Sequence, residues 1–336
     1  MQLSTEKYGG MLMGTWFDRP LSVAGRVVTA KGGKLETKLV DVDRDLAVIP
    51  SVAIHMNRAA NDGFKFMANI DTLPLYGMQE SSGSFRSVVA KAAGVQEDEV
   101  LGEDLSLYVR TRGTCLGAKN EFILAPRLDD LGCVFGLLEG FLAAKASGSV
   151  PVFCAFDNEE VGSQTKQGAA STFLADTLDR VREALGMSFS DYHRAVANSF
   201  LVSCDNAHAV HPNHPEFMDK NHAVYMNEGI VIKYNANQKY TSDAVSAAIF
   251  RTVCEKAGVP FQYYANRADM PGGGTLGNIA NTQVSLNTVD IGLPQLAMHS
   301  TYETAGAKDT EYMVSALRLF YEHALHMEAD GEYMFE

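Results

Sequence analysis

The chain of 336 residues sets 28 Lys and Arg against 41 Asp and Glu, a formal charge of −13. With 46% hydrophobic and 21% charged residues it has a globular composition, not a disordered one. The acidity excludes a general nucleic-acid binder, which needs a basic footprint, and disfavours docking on anionic lipid.

No membrane span is expected, because the long apolar run 131–146 is short and carries Glu139 and Lys145. The start, Met1 to Lys7, lacks the apolar core of a signal peptide. Cys115, Cys133, Cys154, Cys204 and Cys254 are dispersed, with no Cys-x-x-Cys pair. They read as reduced cysteines of a cytoplasmic protein without a thiolate zinc site.

Residues up to about Arg112 show short β-type runs at 22–30, 46–50 and 105–110. Lys31-Gly32-Gly33-Lys34 reads as a hairpin turn, and Ser84 to Ala93 as a short helix. From Glu121 onward helices and strands alternate. Asp129 to Ala144 has helical apolar spacing, with Leu131, Val134, Phe135, Leu138 and Leu142 on one side. Val150 to Phe156 reads as a strand buried on both faces. A helix is expected over 168–185, with strands at 200–204 and 230–234. A second helix is expected over 241–257, capped by Thr241 or Ser242. Strands at 261–264 and 284–289 precede a closing helix over 309–329. The alternation implies an α/β fold with a mixed, mostly parallel sheet flanked by helices.

Ligands of open α/β sheets gather beyond the carboxyl ends of the strands. Asp157-Asn158-Glu159-Glu160 and Asp205-Asn206-Ala207-His208 follow two of the expected strands. Met298-His299-Ser300 lies beyond a third, and Arg127-Leu128-Asp129-Asp130 precedes the first long helix. Four segments thus deliver Asp, Glu or His to one edge of one sheet. Crowded carboxylates repel one another, and a divalent cation resolves that cost. Oxygen and imidazole donors suit Zn²⁺, Mn²⁺ or Co²⁺. Adjacent glutamates can divide the work: one ligates, the other stays free as a base.

Each residue alone has a plainer reading. A Glu-Glu pair is usually a solvated loop, Asp129 an N-cap, and His299 a core histidine. Gly272-x-Gly274-x-x-Gly277 fits a dinucleotide fingerprint by letter, but Pro271 precedes it and no suitable acid follows about 20 residues on. No Gly-x-Ser-x-Gly elbow is present.

Several stretches resemble the aspartyl aminopeptidase family of zinc metallopeptidases, which includes vacuolar aminopeptidase I. They are Tyr8-Gly9-Gly10, Ile54-His55-Met56-Asn57-Arg58, Ala125-Pro126-Arg127-Leu128-Asp129-Asp130, Asp157-Asn158-Glu159-Glu160-Val161-Gly162, Asp205-Asn206-Ala207-His208, Pro271-Gly272-Gly273-Gly274-Thr275 and Gln295-Leu296-Ala297-Met298-His299-Ser300. The resemblance implies an aminopeptidase with two Zn²⁺ per site. Asp129 would bridge the ions, with Glu160, Asp205 and His299 as further ligands. Glu159 would be the general base, and His208 would lie near the substrate carbonyl. Lys233, Gly273 and Gly274 would contact substrate, with Lys233 as the cation behind the Asp or Glu preference of many members. A strand-end surface lysine is the plainer reading of Lys233.

The resemblance also implies an inserted β-rich assembly domain, placed at 14–112, with 1–13 and 113–336 forming the catalytic domain. Homo-oligomers would form, dodecamers in the family, with His55 reaching a neighbouring subunit's site. A buried strand histidine is its plainer reading. The family's first histidine ligand, in a His-x-Asp-Ser-Pro motif, has no counterpart before His55. The expectation is a chain that lacks that segment and part of the sheet. An inactive subunit with only an assembly role is the alternative to the enzyme.

Overall fold

The structure, a computed structural model, describes residues 1–145, 148–329 and 331–335. Ala146, at the end of the apolar run, lies outside the described residues. The chain divides into two units, Met1–Gly113 with Ser300–Tyr302, and Thr114–His299 with Glu303–Glu336.

The smaller unit is built on an antiparallel three-stranded sheet, β1 (Leu21–Lys31), β2 (Lys34–Asp41) and β3 (Val100–Val109), with β1 central. Lys31 pairs with Lys34 across the expected Gly-Gly turn. A single helical turn, α1 (Ala68–Asp71), precedes α2 (Ser84–Ala93). Helix α2 covers the inner sheet face, where Val27, Val40, Val89, Ala90 and Val100 form the core. The 46–50 run makes only isolated bridges, from Ala47 to Leu21, Val48 to Leu75 and Ile49 to Phe17. Residues 1–13, expected in the larger unit, group with the smaller one: the Met1 ammonium donates to Gly77 O and Gln2 bridges to Leu75.

The larger unit carries two mixed sheets. One has five strands in the order β4 (Thr114–Leu116), β5 (Phe122–Ala125), β12 (Glu303–Gly306), β11 (Pro294–Leu296), β7 (Ala207–His208). The other runs β6 (Phe200–Cys204), β10 (Asn287–Gly292), β8 (Ile230–Tyr234), β9 (Phe261–Ala265). In this second sheet the β6–β10 and β8–β9 ladders are parallel and β8–β10 is antiparallel. The chain passes from one sheet to the other twice, at Asp205–Asn206 and at Gly292–Leu293. The two crossings touch, and a β-carbon on Gly292 would stand 2.0 Å from Asp205 O, so only glycine fits.

The helices are α3 (Leu128–Ala143), α4 (Phe173–Ala184), α5 (Phe189–Ala197), α6 (Ala244–Ala257), α7 (Leu276–Ala280) and α8 (Asp309–Glu322). The core joins Ile230, Ile232, Val289 and Ile291 to Phe250 and Val253 of α6 and to Met313 and Leu317 of α8.

Several expectations are corrected. Helix α3 buries its small-residue side, Cys133, Gly136 and Gly140, while Leu131, Phe135 and Leu142 stay exposed. A β-carbon on Gly140 would meet Leu317 at 2.8 Å; close approach to α8 outweighs burying the larger side chains. Residues 150–156 form no strand, and Val150 and Val152 are exposed. Apolar character alone does not make a strand without ladder partners. Asp243, not Thr241 or Ser242, caps α6 by a capping box with Ser246. The closing helix stops at Glu322; Leu325–Ala329 (β13) turns back on Glu332–Phe335 (β14) as a hairpin.

Candidate metal centre

Within the larger unit the two sheets bring their acid-bearing loops to one pocket of about 260 Å³. Asp129, Glu159, Glu160, Asp205, Asn206, His208, Lys233, Tyr240, Gly273, Gly274, Thr275, Met298 and His299 line it. The acids were expected at one edge of one sheet. The lining groups come instead from both: Asp205 and Lys233 from the four-stranded sheet, Asp129 from the irregular first turn of α3 after β5, and His299 from the loop after β11 of the other. The crossings at Asp205 and Gly292 cause this.

His299 is the hub. Its Nε2 lies 3.1 Å from Glu160 Oε2 and 3.4 Å from Asp129 Oδ2. One ligand atom each from Asp129, Glu160 and His299 falls within 4.8 Å of the others. A second such group joins Asp129 and Asp205 with Asp130, which sequence reasoning had not singled out. Asp129 does not cap its helix. Its Oδ1, like Oδ1 of Asp130, is buried without a hydrogen-bond partner in the protein. Converging, unsatisfied oxygens beside an imidazole fit a hard or borderline divalent cation such as zinc.

The Glu159–Glu160 loop is built by Asn158, which sits in the left-handed region at φ 61°. Its side-chain oxygen accepts from Thr165 Oγ1 and Gln167 Nε2, both at 2.9 Å. Residues Glu159 to Val161 then form a single 3₁₀ turn that sends both carboxylates to the pocket. Burial first, then the neighbouring Glu160 and Asp129, push Glu159 up to about 7. Burial lifts Asp205 above the usual carboxylate range, with Lys233 opposing. His208, at the pocket wall with Tyr264 edge-on at 6.3 Å, is pushed below the ordinary imidazole value by desolvation and the Lys233 charge.

Lys233 is no surface residue. It is 1% exposed, donates to Asp205 O at 2.8 Å, and lies 3.2 Å from Asp290. The Tyr240 ring centre is 5.0 Å from its ammonium. Gly273 and Gly274, expected to contact substrate, line the pocket. His55 is in an exposed turn of the smaller unit, not a buried strand. Tyr240 was missed and has no local signature; Asn206, Thr275 and Met298 stood inside the quoted motifs but were given no role. Glu303 was missed too. This 2% exposed residue accepts from the amides of Asp129 and His299, and burial, against those donations, lifts it to about 7.

Residues 1–321 match the family model described as "Aminopeptidase I zinc metalloprotease (M18)". The chain belongs to the M18 aminopeptidase family. It is 45% identical over 327 residues to a probable M18 family aminopeptidase 2 of Clostridium acetobutylicum, covering 96% of this chain and 76% of that one. Its counterpart in Pseudomonas paraeruginosa is 42% identical over 327 residues, with 96% and 75% covered. Among solved structures, Ape4, determined as a complex with Nbr1, is 34% identical with a TM-score of 0.90, over 96% of this chain and 66% of that one. The Saccharomyces mApe1 dodecamer is 29% identical at 0.79, over 96% and 73%. An M18 aminopeptidase from Thermotoga maritima, at 22% identity and 0.81, shares the fold. This M18 chain is thus an α/β protein of a zinc-metalloprotease family, and its enzyme class is the aminopeptidase hydrolases. No helix among its described residues is long and apolar enough to cross a membrane.

Proposed function

We propose that the chain removes N-terminal residues from peptides at this pocket, with Asp129, Glu160, Asp205 and His299 as the ligands of one or two zinc ions. Mn²⁺ or Co²⁺ would suit the same donors. The observation that carries the reading is the meeting of Asp129, Glu160 and His299 within 4.8 Å, with Glu159 beside them on the same turn.

Bound zinc supplies Lewis acidity, polarising a carbonyl and making water a stronger acid. The chain's own groups do the rest. Glu159, the acid left outside the ligand set, accepts the proton of the attacking water and returns it to the leaving amine. Neutral His208 donates a hydrogen bond to the carbonyl oxygen as negative charge develops there. The bare backbone of Gly273 and Gly274 admits the substrate chain. A free amino terminus among these carboxylates accounts for action at chain ends.

An Asp or Glu preference falls to Lys233, the one lysine lining the pocket among the described residues. One of its N–H groups is given to Asp205 O and Asp290 stands 3.2 Å away as its ion-pair partner, so an acidic substrate side chain would draw on the N–H groups that remain. Assembly into a homo-oligomer, dodecameric as in the mApe1 structure, is supported by Leu35 and Leu39, 66% and 86% exposed on one face of β2. His55 would reach a neighbour's pocket from the same unit. A cytoplasmic location suits the five unpaired cysteines.

The test compares free and N-acetylated peptides after zinc loading, with metal content measured in parallel. Cleavage only of free amino termini supports the reading. Bound zinc without turnover would favour the assembly-only alternative. A Lys233→Met variant with an unchanged ranking of Asp, Glu and Leu substrates would dismiss the role of that cation.

A further inference from the structure

We propose that Glu303 is the positioning residue that sets the zinc affinity of this site; the inference rests on reading Asp129 and His299 as ligands. Its carboxylate accepts the Asp129 amide on Oε2 at 2.9 Å and the His299 amide on Oε1 at 2.7 Å. One side chain thus grips the backbones of two ligand residues that are 170 positions apart in sequence. The register Glu303–Ala125 between β12 and β5 places it under the turn that carries Asp129.

His299 needs such a hold. Its φ of 66° lies in the left-handed region, which residues with a β-carbon seldom adopt. Its imidazole meets Asp129 and Glu160 only with the backbone held in that conformation. A neutral amide at 303 turns an N–H toward one of the two donors and loses that bond. The two ligands would then drift independently, and outer contacts of this kind typically carry 10–100-fold in metal affinity. Glu303 touches neither substrate nor ion in this scheme; it acts through Asp129 and His299.

The experiment is zinc affinity by chelator competition, on wild type, Glu303→Gln, Glu303→Asp and Asp309→Asn, with thermal unfolding of each metal-free form. Asp309 is a buried acid outside the pocket and controls for general loosening. The expected result is about 10–100-fold weaker zinc binding for Glu303→Gln, with Asp309→Asn unchanged. Glu303→Asp, one methylene shorter, should fall between wild type and Gln, and it decides the matter if the Gln variant does not fold. Zinc affinity within about twofold of wild type in a folded Glu303 variant would overturn the proposal. Equal weakening in Asp309→Asn would also overturn it, as general loosening. Wild-type chain that binds no zinc would instead defeat the metal-centre reading itself, before any variant is compared.

Discussion

Lys233 and Asp290 form an ion pair at 3.2 Å with side chains 1% and 0% exposed. Burial works against the ammonium, but Asp290 and Asp205 outweigh it and hold its pKa above the ordinary lysine value. Asp290 also accepts from Thr275 Oγ1, at the end of the glycine loop, and its amide donates to Ser242. The pair therefore ties β8, β10 and the pocket mouth together. Removing one partner strands a buried charge, which costs about 3–5 kcal/mol, whereas removing both does not. Lys233→Met should lower stability by that amount, and Lys233→Met with Asp290→Asn should recover much of it. Chemical unfolding measures both; a double variant no better than the single would break the argument.

Glu159→Gln should cut turnover by about 10²–10⁴-fold, the usual worth of a positioned proton-transfer group. Elemental analysis should find its zinc unchanged, since Glu159 stands outside the proposed ligand set. Parallel loss of metal would make Glu159 a ligand and move the base elsewhere.

His299→Ala and Asp129→Asn remove the hub and the buried oxygen beside it. Wild type at zinc one hundred times its Kd should gain about 2.7 kcal/mol in unfolding free energy. Both variants should lose most of that gain, read as the zinc-dependent shift in Tm.

Asp309, at the start of α8, is lifted to about 6 by burial, against the amides of Asn227 and Gly229 that donate to it. A carboxyl whose folded pKa lies above its unfolded one of 3.8 favours folding while protonated. That contribution is complete below about pH 4 and is lost as pH rises through about 6. The Tm of wild type minus that of Asp309→Asn should therefore fall as pH is raised across this window. A flat difference would place the Asp309 pKa near its ordinary value.

Asp243→Ala removes the oxygen that accepts from the Ser246 amide at 2.7 Å. The cost should be about 1 kcal/mol in chemical unfolding, with zinc affinity unaltered.

Reading by sequence succeeded where the cause is local. Ser84–Ala93, Phe200–Cys204 and Ile230–Tyr234 match the expected bounds, because side-chain spacing and flanking turns lie within each segment. The same locality misled at 150–156, whose apolar run finds no ladder partner, and in α3, whose bulky stripe is left exposed while its glycines meet α8. The helix over 309–329 ran on too far because the strand at Leu325–Ala329 is set by pairing with Glu332–Phe335, which lies beyond the segment read as helix.

Family resemblance and donor chemistry were legible in short motifs around Asp129, Glu159, Asp205 and His299. Their gathering was expected at one edge of one sheet; the two-sheet geometry was not legible, because it depends on the two crossings that join the sheets at Asp205 and Gly292. Glu303 and Asp290 carry no motif either; each acquires its role from partners in distant segments. Composition and local pattern determined that this chain is an acidic α/β protein bearing the donors of a metal site. Only tertiary contact decided which oxygens face His299, which lysine loses its solvent and which carboxylate holds the backbones of Asp129 and His299, since each of those is a meeting of residues far apart in the chain.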